Sequence, residues 1–334
     1  MKILIATGIF PPDIGGPAQY AKELAEEFLR QGHKVKVLAY KFKKKLPTGI
    51  RHLFYFLRLF FSLGGIDLII ALDTFSVGLP TILAARIFGK KTILRTGGDF
   101  LWENYVQKTG NPLTIKDFYD KKPKLSLKFK LVFSLSKFVL KNSSAIVFST
   151  KWQRDIFIKN YGLDFNKTFI IENFYGDKKN NAEPIGKNFL WAGRRIKIKN
   201  LSLLETAFSE AQKQNSSIKL NISEKISHEN LMEKIKNCYA VILPSLSEIS
   251  PNFILDAISF NKPFILTKET GFYEKLKEIG LFVDPLDKED IKNKILFLTD
   301  GKNYLEYKNR ISNFKFGHSW KEIASEFLDI YKKL

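Results

Sequence analysis

The sequence is poor in the residues that make covalent cross-links or hold metals. It has one cysteine, Cys238, four histidines and two methionines in 334 residues. A lone cysteine excludes an internal disulfide, and the scattered histidines fall into no metal-ligand spacing. No apolar run reaches the ~18 residues that span a bilayer, because Arg58 interrupts the best stretch. The opening MKILIAT reads directly as a strand, without the basic region, apolar core and small-residue cleavage site of a signal peptide. No G-x-G-x-x-G follows that strand, which counts against a dinucleotide-binding first domain. With 20 Gly and 12 Pro the chain is no fibre, and 45% apolar residues exclude a disordered one. The reading is a soluble, cytoplasmic protein, long enough for about two domains.

Acidic residues are also scarce. Lys and Arg number 54 against 34 Asp and Glu, a formal net charge of +20. Residues 1–170 hold 28 basic and 12 acidic residues and carry +16 of it, while 171–334, with 26 and 22, carry +4. A basic first half suits a polyanionic partner such as nucleic acid, anionic lipid or a phosphorylated ligand. A lysine-decorated solvated surface accounts for the bulk charge equally well, though less well for its asymmetry.

Short apolar runs alternate with segments of helical period. Strands are expected at Ile3–Thr7, Val35–Ala39, Leu68–Leu72, Thr92–Arg95, Ala145–Ser149 and Phe169–Ile171. After the turn FPPDIGGP, the residues Ala21, Leu24, Ala25, Phe28 and Leu29 form one helical stripe, which Gly32 ends. The polar stretch 175–188 has no period and reads as a linker. Alternation then resumes with strands Phe189–Ala192, Ala240–Leu243, Phe264–Thr267 and Leu281–Asp284, and helices at 200–214 and 252–260. A final helix over about 318–334 places Trp320, Ile323, Ala324, Phe327, Leu328 and Tyr331 on one face. Strand–helix alternation implies parallel sheets covered on both faces, an α/β fold. The expected organisation is a Rossmann-like domain over 1–174, a linker over 175–188 and a second Rossmann-like domain over 189–334, facing each other across a cleft.

Three places carry candidate chemistry. Gly15-Gly16-Pro17 leads from the first strand into a helix whose free N–H groups suit a phosphate; a plain strand-to-helix turn is the alternative. In WAGRRIKIKN, Gly193 ends a strand, Arg194 follows and Lys199 precedes a helix. Two cations at the carboxyl edge of a parallel sheet suit a diphosphate and its departure; a basic loop is the alternative. In PSLSEISPNFILDAISFNKPFI, Glu248 lies on a loop, Ser250-Pro251-Asn252 opens a helix, and Asp256 follows one turn in. A loop carboxylate accepts sugar hydroxyls and one on the first turn accepts a ribose diol, while a solvated Glu and a dipole-complementing Asp are the alternatives.

These sites, in this order, resemble the GT-B glycosyltransferases of family four (glycosyl transferases group 1), which are retaining nucleotide-sugar enzymes. GGPAQYAKELAEEFLRQGHKVKVLAY is similar to the family's glycine loop, helix and G-H-x-V-x-V strand. LKNSSAIVFSTKWQRDIFIKNYG resembles its A-D-x-V-I-x-x-S segment, and IIENFYGD stands in the place of P-N-G-V-D. FLWAGRRIKIKN resembles G-R-x-x-x-x-K-G. PSLSEISPNFILDAISFNKPFI resembles P-S-x-x-E-x-x-x-x-x-x-x-E-A-x-x-x-G-x-P-V-I, and HSWKEIASEFLDIYKKL resembles the family's S-W and terminal Tyr. The six motifs run nearly end to end.

The resemblance implies a metal-independent, retaining, hexosyl-type transferase with no cofactor and a UDP- or GDP-sugar as substrate. Gly15 and Gly16 would contact the donor diphosphate. Arg194 and Lys199 would bind it and stabilise the leaving nucleotide. Glu248 and the backbone at Pro251, Asn252 and Phe253 would hold the donor sugar, and Asp256 the ribose. The final helix would pack back on the first domain. Three departures stand out. Asp256 replaces a Glu. Gly97, in TILRTGGDF, falls where the family often has a histidine near the donor sugar, and Asp99 and Glu103 are its candidate substitutes on the acceptor side, against a helix cap and a surface acid. A strand–helix unit is expected to be trimmed around SIKLNISEKISHE, where base recognition normally sits.

The family's first domain takes the acceptor, here expected to be a lipid-linked or cell-surface glycan precursor of envelope polysaccharide. Two stretches, 41–65 with Phe54, Phe56, Leu57, Leu59, Phe60 and Phe61, and 121–141, combine lysines with apolar residues, which suits peripheral binding to an anionic membrane surface on the inner face. The same helices packed on the sheet, with only their lysines exposed, is the alternative. An inactive GT-B scaffold serving as a binding subunit is a second reading. A nucleic-acid-binding protein is a third; it rests on charge alone and leaves Glu248 and Asp256 unexplained, so no nucleic-acid partner is expected.

Overall fold

The computed structural model describes residues 1–13, 15–40, 47–180 and 182–334. The lysine cluster Lys41, Lys43, Lys44 and Lys45 therefore lies outside the described residues, as do Ile14 of the glycine turn and Asn181 of the linker stretch. The chain runs β1 (Lys2–Thr7), α1 (Gly16–Arg30), β2 (Lys34–Ala39), α2 (Thr48–Phe60), β3 (Leu68–Ala71), α3 (Gly78–Ile87), β4 (Thr92–Thr96), α4 (Phe100–Thr109), α5 (Ile115–Lys121), α6 (Leu127–Asn142), β5 (Ala145–Phe148), α7 (Lys151–Tyr161) and β6 (Thr168–Ile170). It continues β7 (Lys187–Ala192), α8 (Leu201–Gln214), β8 (Ile218–Ser223), α9 (His228–Asn237), β9 (Ala240–Leu243), α10 (Asn252–Ser259), β10 (Phe264–Thr267), α11 (Tyr273–Leu276), β11 (Leu281–Val283), α12 (Lys288–Thr299), α13 (Gly301–Asn313) and α14 (Trp320–Lys332).

The chain divides into two compact units. The first comprises Met1–Leu101, Pro123–Asn173 and Ser319–Leu334, and the second Trp102–Lys122 and Phe174–His318. Each is built on one all-parallel sheet, in the order β2-β1-β3-β4-β5-β6 in the first and β11-β10-β9-β7-β8 in the second. The central strands are buried along their whole length, as in IIA of β3 and AVIL of β9, which is why they read as continuous apolar runs rather than alternating ones. Each fully buried Ile, Leu or Phe contributes about 1.5–3 kcal/mol.

In the first unit, Ala21, Leu24, Ala25 and Phe28 of α1 join the core while Leu29 faces water. The core is completed by α14, whose Ile323, Ala324, Phe327 and Ile330 are buried against it, with Trp320, Leu328 and Tyr331 partly buried. A capping box at Ser319 and Glu322 starts that helix. The α2 face is split. Tyr55 and Leu59 are core residues, so Leu59 is not one of the surface apolar groups expected, and Phe56 and Phe60 are half-buried; Leu53, Phe54, Leu57 and Phe61 remain exposed. In the second unit, the segment SIKLNISEKISHE forms the edge strand β8 and the start of α9, two elements the sequence reading left unassigned.

Candidate active site

In open parallel sheets, ligands bind beyond the carboxyl ends of the strands where the strand order reverses. In the second unit that point lies between β7 and β9. The loops leaving these two strands hold Arg194, Lys199 and Glu248.

After β7 the chain passes Gly193 and two arginines, makes one short 3-10 turn over Lys197–Lys199, and enters α8 through Asn200, whose φ of 54° is left-handed. The Asn200 side chain donates to the carbonyls of Pro244 (3.1 Å) and Pro285 (2.6 Å), tying this loop to the ends of β9 and β11. The two arginines differ. Arg195 pairs with Glu224 at 2.8 Å and Glu205 at 3.6 Å. Arg194 is exposed and has no ion-pair partner among the described residues. Lys199 Nζ donates to Glu248 Oε1 at 2.5 Å, in a pair largely shielded from water.

Glu248 is held by its backbone. Its N–H donates to the Glu269 carbonyl (2.9 Å), and its carbonyl accepts from Gly271 N–H (3.0 Å). Burial raises the Glu269 carboxyl above its ordinary pKa, with Lys116 pulling the other way. Next, α10 begins at Asn252 behind Pro251, with no side-chain cap and no acid in its first turn. Asn252 N–H donates to the Ser250 carbonyl (3.0 Å) and Ile254 and Leu255 N–H to that of Pro251 (2.9 and 3.1 Å), so what the helix start offers an anionic or sugar oxygen is its dipole, which no acid in the first turn offsets. Phe253 is buried in the core, so any contact it makes there is through its backbone. Asp256 Oδ2 lies 3.6 Å from Nε2 of His228, the first residue of α9. His228 was not singled out from the sequence, although it belongs to the stretch flagged for base recognition.

Both loops are braced by a segment encoded far upstream. Gln107 of α4 accepts from Lys197 N–H at 2.9 Å, and Ser247 Oγ accepts from Ile115 N–H at 2.9 Å. The α4–α5 connection is closed by Trp102 Nε1 donating to the Leu113 carbonyl (2.8 Å), and Thr114 caps α5. Nothing in residue type or spacing marks Gln107 or Ser247; only the fold brings them here.

In the first unit, Gly15 has φ 149°, a conformation open to glycine, and Gly16 begins α1 with no acid in its first turn. Asp99 is buried just before α4, while Glu103, half-buried in the first turn of that helix, falls in the second unit. Asp73, just past β3, accepts from Val77 N–H (3.0 Å) and holds the turn that leads into α3; burial raises its pKa against the backbone amides of residues 75–78, which lower it. Gly97 follows β4 directly. A Cβ there would stand 2.8 Å from Arg95 Nη1, so no histidine fits at this position unless the arginine moves.

A profile described as Glycosyltransferase Family 4 matches residues 14–176, and one described as Glycosyl transferases group 1 matches residues 204–315. The chain belongs to the GT-B group 1 glycosyltransferases. The fold of this glycosyltransferase is shared with solved structures of low sequence identity. Sucrose-phosphate synthase from Thermosynechococcus elongatus superposes with a TM-score of 0.74 at 13% identity, over 99% of this chain and 98% of that one. WaaG, a glycosyltransferase involved in lipopolysaccharide biosynthesis, gives 0.69 at 11%, covering 99% of each chain. Anabaena HepE, in complex with UDP and glucose, gives 0.66 at 13%, over 100% of this chain and 98% of that one. No curated protein matches the sequence.

Proposed function

We propose that this glycosyltransferase is a metal-independent, retaining enzyme that moves a hexose from a UDP- or GDP-sugar to a lipid-linked or cell-surface glycan precursor in envelope polysaccharide synthesis. The observation that carries the reading is the group on the loops at the reversal point of the second sheet: the Lys199–Glu248 pair and, on the loop that holds Lys199, Arg194, which has no ion-pair partner among the described residues. Arg194 and Lys199 supply fixed positive charge where a diphosphate gains charge as it leaves, the role a metal plays elsewhere. Glu248 and the start of α10 receive the sugar hydroxyls. Asp256 receives the ribose diol, with one methylene less reach than a Glu. Gly15 and Gly16 offer backbone N–H groups to the diphosphate. With attack on the face the leaving group vacates, the departing phosphate takes the acceptor proton, so no protein nucleophile is needed; Asp99 and Glu103 serve the acceptor.

HepE was solved with UDP and glucose, and WaaG acts in lipopolysaccharide biosynthesis, which supports a nucleotide-sugar donor and an envelope acceptor. Peripheral attachment to the inner membrane face is supported by apolar residues standing in water beside basic ones. Phe61 is 82% and Leu127 85% exposed, with Leu53, Ile87 and Leu131 alongside on α2, α3 and α6. Among the described residues no helix is long and apolar enough to cross a membrane.

The test is thermal unfolding of the purified chain against UDP, GDP, ADP and their sugar conjugates, followed by transfer with the conjugate that binds. A ligand at about 100 times its Kd adds roughly 2.7 kcal/mol and raises the midpoint by a few degrees. The expected result is a shift with one nucleotide class, lost in Arg194→Ala. A shift with none of them overturns the donor site.

A further inference from the structure

Arg95, on β4, is 7% exposed, yet among the described residues no carboxylate lies within ion-pair distance of it. Its guanidinium carbon Cζ sits over the Tyr20 ring at 3.7 Å from the centroid, and Trp320 meets that ring edge-on at 5.1 Å. Nη2 donates to Ser149 Oγ (3.2 Å) and Asn173 Oδ1 (2.5 Å), both neutral acceptors beyond the ends of β5 and β6. Nε is buried with no partner; burial raises the pKa of the Tyr20 phenol, and the guanidinium's charge and hydrogen bonding pull it down. Glu326 of α14 acts electrostatically on the same Tyr20 phenol, raising its pKa.

A buried cation is normally paired, because desolvation is costly and neutral hydrogen bonds do not replace a counter-charge. Here the charge sits at the carboxyl edge of the parallel sheet, the edge at which such folds take ligands. Its Nη1 lies beside the exposed Gly97, where an added Cβ would stand 2.8 Å from it, so the missing side chain leaves that nitrogen uncovered. The neighbouring turn is fixed, since the Gly98 carbonyl accepts from Thr96 Oγ1 (2.9 Å) and Gln153 Nε2 (3.2 Å). Charge, orientation and access therefore converge on one point.

We propose that Arg95 Nη1, reached across Gly97, receives one anionic oxygen of the acceptor, carried by a phosphate ester or a sugar carboxylate. The residue swap explains itself in these terms. A side chain at position 97 and this arginine exclude each other, and the chain keeps the permanent cation. The site assigns an acidic acceptor and so rests on the transferase reading for its ligand, but anion binding is measurable without transfer.

The experiment uses the full chain with Arg194→Ala and Lys199→Ala, so that the cations at the donor site are removed. It is titrated with inorganic phosphate and separately with glucuronate, at constant ionic strength, by calorimetry. Arg95→Gln, Arg95→Lys and Gly97→Ala are then made on that background. The expected result is saturable binding of at least one anion, weakened 10-fold or more by Arg95→Gln and by Gly97→Ala, with Arg95→Lys in between. Saturation by phosphate alone identifies a phosphate acceptor, and by glucuronate alone an acidic sugar. Absent saturation, or an affinity in the folded Gly97→Ala and Arg95→Gln chains equal to that of the background chain, overturns the site. The nucleotide shift of the unsubstituted chain is independent of that outcome and tests the transferase reading by itself.

Discussion

Lys199 Nζ and Glu248 Oε1 stand 2.5 Å apart, so the cation assigned to the donor's diphosphate is held by the carboxylate assigned to its sugar. Each neutralises the other until a donor arrives, and a bound donor must share Lys199 between its phosphate and Glu248. Glu248→Gln removes the competing charge and keeps the side-chain shape. The expected outcome is UDP or GDP affinity unchanged or higher, with sugar transfer reduced about 100-fold or more, as for loss of a group that stabilises the transition state. Nucleotide titration and turnover on the same preparation check it. An equal loss in both would mean that Glu248 holds the nucleotide rather than the sugar.

The two adjacent arginines give a sharper contrast. Arg195 is committed to Glu224 and Glu205, whereas Arg194 has no ion-pair partner among the described residues. A hydrogen bond to a charged group is worth about 1.5–3 kcal/mol, or roughly 10- to 150-fold in Kd. Arg194→Ala is expected to weaken nucleotide binding by that factor, and Arg195→Ala by less than about threefold, since exposed pairs contribute little. The reverse order in calorimetric titration would move the phosphate contact to Arg195.

Gln107 and Ser247 join an upstream helix pair to the two loops of the site. The Ser247–Ile115 bond is buried, so Ser247→Ala leaves an N–H without acceptor and is expected to cost about 1–3 kcal/mol in urea unfolding. Gln107→Ala faces water and is expected to leave stability within about 1 kcal/mol. Its effect falls on the loop: faster amide exchange over 194–199 and nucleotide binding weaker by about two- to tenfold. Unchanged exchange in that loop would show that Gln107 braces nothing.

Much of the fold was legible because the central strands are buried on both faces, and runs such as LIIA and AVIL announce that without any tertiary knowledge. β8 was not legible. KLN alternates at a sheet edge with Lys219 and Asn221 exposed, so it carries half the apolar signal of an inner strand. The loops with Arg194, Lys199 and Glu248 could be found because glycine, proline and charge cluster at strand ends. Which arginine was free could not, because that depends on Glu205 and Glu224, ten and twenty-nine residues away. The attachment of 102–122 to the second unit was equally hidden, since its bonds span 90 and 132 residues in sequence. Gly97 looked like a loss until Arg95 was seen to occupy the space beside it.

Cys238 offers a reporter built into the donor unit. It is buried at the end of α9, Sγ donates to the Ile235 carbonyl (3.2 Å), and burial pushes the thiol pKa up to about 12. At pH 8 the folded thiol is therefore ionised to about one part in ten thousand, whereas an ordinary cysteine near 8.5 is ionised to roughly a quarter. Labelling by a thiol reagent must pass through opening of the second unit, and its rate follows the population of the open form when reclosing is fast. The helix it ends begins with His228, beside Asp256, so a nucleotide held by Asp256 stabilises the same element. At about 100 times its Kd, the nucleotide lowers the open population about 100-fold, and labelling is expected to slow by the same factor. At the same nucleotide concentration Arg194→Ala should cut the protection to between about two- and tenfold while leaving the unliganded rate unchanged, because among the described residues Arg194 makes no ion pair whose loss would loosen the fold. Labelling that ignores the nucleotide would show that donor binding, if it occurs, does not engage the unit that carries α9 and α10.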